Sequence, residues 1–237
     1  MNSLLMLTTL CLILFSCGQN PQEQSTEEAE TTASQQPQNA ESTTEKEDSK
    51  VILFFGNSLT AGYGLDEEQA YPALIQNKLD SLGLNYKVIN AGLSGETTAS
   101  GNSRLEWVLE RQPIDIFVLE LGANDGLRGI DPQETYQNLL SMINQVQEKY
   151  PEAEIILSGM MVPPNMGQAY AEKFRQIFPR VAEEENVMLI PFLLEGVAGE
   201  PELNLSDGIH PTAPGQAIVA ENVWEVLKKA IEEVPNT

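Results

Sequence analysis

Cysteine occurs at only two positions, Cys11 and Cys17, and histidine at only one, His210. Both thiols precede Val51, where the first strand-like segment begins, so the domain beyond it can form no internal disulfide. One imidazole and no thiol leave too few nitrogen and sulfur ligands for an ordinary zinc site. Carboxylates alone could hold only a hard cation, and no metal or other cofactor is expected. Positive charge is also scarce: 13 Lys and Arg stand against 35 Asp and Glu, a formal net charge of −22. Phosphate contacts need clustered cations, and with no basic stripe present nucleic acid is excluded as a partner. The acidity reads as a solvated surface that repels anionic lipid headgroups. Also absent are an internal repeat, a P-loop, a dinucleotide fingerprint and a Gly-x-Ser-x-Gly elbow.

Before the domain, the one apolar run, Leu4 to Phe15, is too short to cross a bilayer as a permanent helix and carries no Lys or Arg ahead of it. It ends in Leu14-Phe15-Ser16-Cys17 and reads as a removed signal over residues 1–17. Those four residues resemble a bacterial lipobox, whose cysteine is lipidated and becomes N-terminal after cleavage. The resemblance implies lipidation of Cys17 and an exported bacterial lipoprotein, anchored to a membrane on the periplasmic or outer-membrane side; an ordinary secretory signal is the alternative. Residues 18–50 are rich in Gln, Glu, Ser and Thr and carry eight acidic against two basic side chains. Such a stretch cannot bury enough apolar surface to offset its chain entropy, and it is expected to be a disordered acidic tether.

The remaining residues, 51–237, suit one domain with a sizeable core. Val51-Ile52-Leu53-Phe54-Phe55 is a continuous apolar run closed by Gly56, the pattern of a strand buried on both faces. Further strands are predicted over 86–90, 114–121, 154–158 and 187–191. Helices are predicted over 69–81, 97–111, 132–150, 168–185 and 214–233. Five strands alternating with crossover helices predict an α/β fold, a flavodoxin-like three-layer α/β/α sandwich around a five-stranded parallel sheet. Ligands in such folds sit beyond the carboxyl ends of the strands. Ser58, Gly95, Asn124, Asp207 and His210 all fall in loops at that rim.

A serine hydroxyl is a weak nucleophile at neutral pH; it needs a neutral imidazole to take its proton and a carboxylate to orient the imidazole. Ser58, His210 and Asp207 can meet that need. Asp207-Gly208-Ile209-His210 lets the chain fold the carboxylate toward one ring nitrogen while the other stays free. These three are the candidate catalytic residues.

The segment Gly56-Asn57-Ser58-Leu59 resembles the first signature block of the GDSL or SGNH hydrolases, whose serine is the nucleophile. Asn90-Ala91-Gly92-Leu93-Ser94-Gly95 is similar to the second block, Gly122-Ala123-Asn124-Asp125 to the third, and Asp207 with His210 to the last. The resemblance implies an oxyanion hole made from the backbone N–H groups of Ser58 and Gly95 and the side-chain amide of Asn124. Within the family the likeness is to the group of thioesterase I, arylesterase and lysophospholipase L1, through Tyr63-Gly64-Leu65, Gly126-Leu127-Arg128-Gly129 and Pro163-Pro164-Asn165-Met166-Gly167 followed by Tyr170 and Phe174. It implies a small-molecule or lipid acyl ester as substrate and no cofactor.

The family tetrapeptide carries aspartate where this chain has Asn57. Asparagine keeps one acceptor oxygen and loses the charge. Met160, Met161 and Met166 surround the loop after the fourth strand, where flexible thioethers could line an acyl groove or simply fill the core. Met166 and Tyr170 are the candidate substrate-binding residues. Two other functions use the same features: a carbohydrate deacetylase with a polar cleft, and a non-catalytic lipoprotein that binds lipid or glycan.

Overall fold

The computed structural model describes residues 49–234. The expected signal, Cys17 and nearly all of the tether lie outside the described residues. Lys50, expected as the last tether residue, instead opens the first strand, because its N–H donates to the Asn85 carbonyl at 3.1 Å.

Five strands form one sheet: β1 (Lys50–Gly56), β2 (Tyr86–Gly92), β3 (Ile116–Glu120), β4 (Glu154–Ser158) and β5 (Met188–Ile190). All pairings are parallel, in the order β2-β1-β3-β4-β5. The two central strands are sealed on both faces: Ile52 to Phe55 and Ile116 to Leu119 are fully buried, as continuous apolar runs in a parallel sheet require. The helices divide into two packed groups, α2 (Tyr71–Ser81) with α8 (Ala213–Glu233), and α3 (Thr98–Leu109) with α5 (Pro132–Lys149) and α7 (Ile177–Glu185). This is the expected three-layer sandwich.

Helix starts follow local chemistry. Thr97 and Ser100 form a capping box at α3, the Asp131 side chain accepts from Gln133 N–H at α5, and the Thr212 side chain accepts from Gly215 N–H at α8. Each cap satisfies an otherwise orphaned donor and contributes about 1 kcal/mol. The helix expected over 168–185 is two helices, α6 (Gln168–Arg175) and α7, broken at Gln176. Pro179 has no N–H for the carbonyl four residues earlier, and its ring crowds that carbonyl.

In this strand order the chain moves outward from β1 in one direction and from β3 in the other, which opens a crevice at their carboxyl ends. Two short helices that periodicity does not reveal sit there, α1 (Ser58–Ala61) after β1 and α4 (Ala123–Leu127) after β3. Helix α1 lies directly on the end of β2. A Cβ on Gly92 would stand 2.4 Å from Ala61 N and 2.8 Å from Thr60 C, both backbone atoms. Asn90 Nδ2 also donates to the Thr60 carbonyl at 2.9 Å. Gly92→Ala is therefore expected to push α1 off the sheet and to cost roughly 1–3 kcal/mol of stability, measured by urea unfolding; an unchanged midpoint would contradict this packing.

Candidate active site

The turn that leaves β1 is tight. A Cβ on Gly56 would meet Thr60 Oγ1 at 2.2 Å and Glu120 Oε2 at 2.6 Å, so only glycine fits at the strand end. Asn57 then caps α1, its Oδ1 accepting from Leu59 N–H at 2.9 Å. Ser58 is the first residue of the helix, and its Oγ lies 2.9 Å from His210 Nε2. The Asn57 Oδ1 atom, at 3.3 Å, is a second acceptor for the same hydroxyl.

His210 comes from the loop between β5 and α8. Its Nδ1 lies 2.7 Å from Asp207 Oδ2. With a carboxylate on that side, the proton belongs on Nδ1, and Nε2 is free to accept from the serine hydroxyl. Asp207 Oδ1 also accepts the backbone N–H groups of Ile209 at 3.0 Å and His210 at 3.1 Å. The Ile209 bond first, and then the His210 side chain, hold the Asp207 carboxyl down at about 2. Gly208, at φ 74°, supplies the left-handed residue that folds the loop back on itself. The loop is pinned at its base, where Leu205 N–H donates to the His210 carbonyl at 2.7 Å and Asn204 Nδ2 donates to the carbonyls of Val197 and Glu200 at 2.7 and 2.8 Å. The Tyr63 ring lies against the imidazole, with centroids 4.4 Å apart.

Asn124 stands in the first turn of α4, and its Nδ2 donates to the Glu96 carbonyl at 3.0 Å, which leaves its second amide hydrogen free to turn toward a ligand. Behind it the buried Asp125 accepts from Thr98 N–H at 2.9 Å and from the hydroxyls of Thr98 and Thr135. Those bonds lock α4 to the start of α3. Gly95, at φ 82°, is held from outside by Arg128, whose Nη2 donates to the Gly95 carbonyl at 3.0 Å.

Ser58, Asn124 and His210 share a cavity of about 470 Å³, whose other walls are mostly apolar: Leu59, Ala123, Leu127, Met160, Met161, Val162, Phe192, Leu194 and Ile209. Gly95, Met166 and Tyr170 are not among its lining residues. Tyr170 turns away, its hydroxyl donating to the Ile130 carbonyl at 2.8 Å and its ring stacking on Phe174. Met166 points at Gly129, where a Cβ would lie 3.7 Å from its Cε. The thioethers at the cavity are those of Met160 and Met161, which follow β4 closely and line the cavity together with Val162 and Pro163.

The structure adds one residue that spacing does not single out. Glu120, the last residue of β3, is completely buried beneath the Asn57 turn and accepts from Asn57 N–H, Asn57 Nδ2 and the Thr60 hydroxyl. Burial pushes its carboxyl up to about 7 despite those bonds. A charge at the end of the apolar run Ile116-Phe117-Val118-Leu119 was the available signal.

Known proteins place the domain. The model of the GDSL-like Lipase/Acylhydrolase family matches residues 54–218. The Esterase TesA of Pseudomonas aeruginosa is 40% identical over 185 residues, 78% of this chain and 91% of that protein. The Thioesterase 1/protease 1/lysophospholipase L1 of Escherichia coli K12 is 39% identical over 181 residues, 76% of this chain and 85% of that protein. Among solved structures AlinE4, described as an SGNH-hydrolase family esterase, superposes with a TM-score of 0.65 at 44% identity, over 77% of this chain and 97% of that one. The matched region contains every residue of the Ser58–His210–Asp207 series, and the chain belongs to the GDSL-like lipase/acylhydrolase family.

Proposed function

We propose that this protein is a serine esterase that hydrolyses acyl esters, with Ser58 as nucleophile, His210 as general base and acid, and Asp207 as the group that orients His210. The continuous hydrogen-bonded series Asp207–His210–Ser58, open to an apolar cavity, is the observation that carries the reading. Ser58 Oγ bonds to the ester carbonyl carbon while its proton passes to His210 Nε2. The oxyanion is met by the Ser58 N–H and by the free Asn124 amide hydrogen, both at the cavity; the family resemblance adds the N–H of Gly95, which does not itself line the cavity. One such donor is worth on the order of a hundredfold to a thousandfold in rate. The carbon–oxygen bond to the leaving group then breaks, and His210 returns the proton to the departing oxygen. Water, deprotonated by the same imidazole, cleaves the acyl-enzyme and regenerates Ser58.

The relatives' names, esterase, thioesterase and lysophospholipase, suggest the substrate range: small or lipid acyl esters, with thioesters as a side activity for an exported enzyme. The apolar walls formed by Leu127, Met160, Met161 and Phe192 favour an acyl chain over a sugar ring, and so favour this reading over a carbohydrate deacetylase. We also propose that Cys17 carries a lipid that anchors the exported domain to a membrane through the acidic segment of residues 18–50.

Hydrolysis of p-nitrophenyl esters from acetate to decanoate tests the reading, with Ser58→Ala alongside. Turnover is expected to vanish in the variant and to rise beyond acetate in the native protein; a clear acetate preference would favour the deacetylase. Asp207→Asn, which keeps the shape and removes the charge, should lower kcat by roughly a thousandfold or more. Asp207 is ionised above about pH 2, so it does not titrate in the working range. His210 acts only as the neutral imidazole, and the rate falls in acid. A rate that does not fall in acid, with chemistry limiting, would contradict His210 as the base.

A further inference from the structure

Asn57 faces two ways at once. Its Oδ1 accepts from Leu59 N–H at 2.9 Å and stands 3.3 Å from Ser58 Oγ, while its Nδ2 donates to Glu120 Oε1 at 2.7 Å. The other carboxylate oxygen, Oε2, accepts from Asn57 N–H at 3.0 Å and from the Thr60 hydroxyl at 2.8 Å. Asn57, Thr60 and Glu120 are all at most 1% exposed. The partners therefore fix which end of the amide is oxygen: flipping it would set oxygen against a carboxylate and an NH₂ group against an N–H.

The surroundings leave this pairing to decide the electrostatics. Tyr71 of α2 reaches Thr60 Oγ1 at 2.8 Å, and α8 contributes the neutral Gln216, bonded to Tyr71 N–H and the Leu59 carbonyl. On α3, Arg104 is bonded to Glu96, and Asp125 of α4 is bonded to Thr98 and Thr135. His210 bonds to Ser58 of the turn, and Asp207 bonds to His210. Among the described residues no Lys, Arg or His forms an ion pair with Glu120. Among the described residues, the groups bonded to this carboxylate all come from the Asn57–Thr60 turn that carries Ser58.

We propose that Asn57 and Glu120 act as one positioning unit of fixed hydrogen-bond polarity, amide donating to carboxylate, which aims Asn57 Oδ1 at the start of α1 and holds Ser58 within reach of His210. The asparagine in place of the family aspartate is then more than a tolerated loss of charge. It supplies the donor that Glu120 faces. An aspartate there would set two carboxyl groups 2.7 Å apart, and such a pair retains one shared proton well above the ordinary carboxyl range. A glutamine at position 120 fails differently: its oxygen can still accept from Asn57 N–H and Thr60, but its NH₂ then meets the Asn57 NH₂, donor against donor. Exchanging both residues restores one donor and one acceptor with the polarity reversed.

The unit rests on the reading of Ser58 as nucleophile, and four proteins test it: the native chain, Glu120→Gln, Asn57→Asp and the double variant Asn57→Asp/Glu120→Gln. Glu120→Gln should lose tenfold or more in kcat with little change in KM. Asn57→Asp should lose tenfold or more in kcat above about pH 8, where Glu120 of the native chain is already ionised, because the shared proton leaves. The double variant should recover most of the kcat lost in Glu120→Gln and show no alkaline fall. Native kcat in Glu120→Gln, a level alkaline profile in Asn57→Asp, or a double variant no better than the product of the single losses would overturn the unit. The same substitutions made on Ser58→Ala, followed by melting temperature against pH, read the pairing without catalysis. A shared proton raises the folded-state pKa above the unfolded one, so its stabilisation is present in acid and lost as pH rises. Melting should fall more steeply between pH 6 and 9 with Asn57→Asp than without it, and the Glu120→Gln partner should remove that difference. Unchanged melting curves would overturn the pairing, whereas a native chain without Ser58-dependent turnover would overturn the esterase reading alone.

Discussion

A strand sealed on both faces must hand its chain to the surface within a few residues, and the groups it needs there cannot be apolar. At the end of β1 that constraint is met by Gly56, Asn57, Ser58 and Thr60, three of them polar and nearly or wholly buried, with Glu120 beneath to accept from Asn57 and Thr60 and His210 beside Ser58. Burying such groups without partners would cost several kcal/mol each. The turn is thus held from below by bonds that would be expensive to leave unmade, and that rigidity puts the Ser58 hydroxyl at a defined place. The opposite wall, the Asp207–His210 loop, is held by its own bonds at Leu205 and Asn204. Two independently braced segments, 152 residues apart, then meet at 2.9 Å.

The strand order supplies the space between them. Because β1 and β3 are neighbours whose following loops diverge, a crevice opens at the point where Ser58 and Asn124 emerge. Its floor is polar and its walls are apolar. That division suits an ester, whose carbonyl must meet donors while its acyl chain leaves water, and apolar burial contributes about 0.8 kcal/mol for each methylene.

Much of this was legible in the sequence, for physical reasons that differ by element. Strand β4 falls on the predicted residues, Glu154–Ser158, because a short β-branched run between turn residues has one reading. The rim positions of Ser58 and Asn124 followed from alternation, since each lies just past a strand, and those of Asp207 and His210 from their place in the long loop between the last strand and the last helix. Helices α1 and α4 did not, because at four and five residues they are too short to have a period. The break between α6 and α7 was signalled by Pro179, but a proline near the start of a helix and one inside a longer helix look alike in sequence. Glu120 was hidden because its partners, Asn57 and Thr60, are distant in the chain, and Met166 gave way to Met160 and Met161 because direction across the rim depends on the loop path.

On the proposed reading Ser58 is the one nucleophile, activated by His210 and held in place by the braced turn. An alkyl phosphonate p-nitrophenyl ester, with the released phenol counted and the labelled peptide located by mass spectrometry, measures this directly. The expected result is one phenol released per chain, the phosphonyl group on Ser58 alone, and labelling that slows in acid. Rapid ester turnover with no label on Ser58, or with the label on another residue, would contradict it.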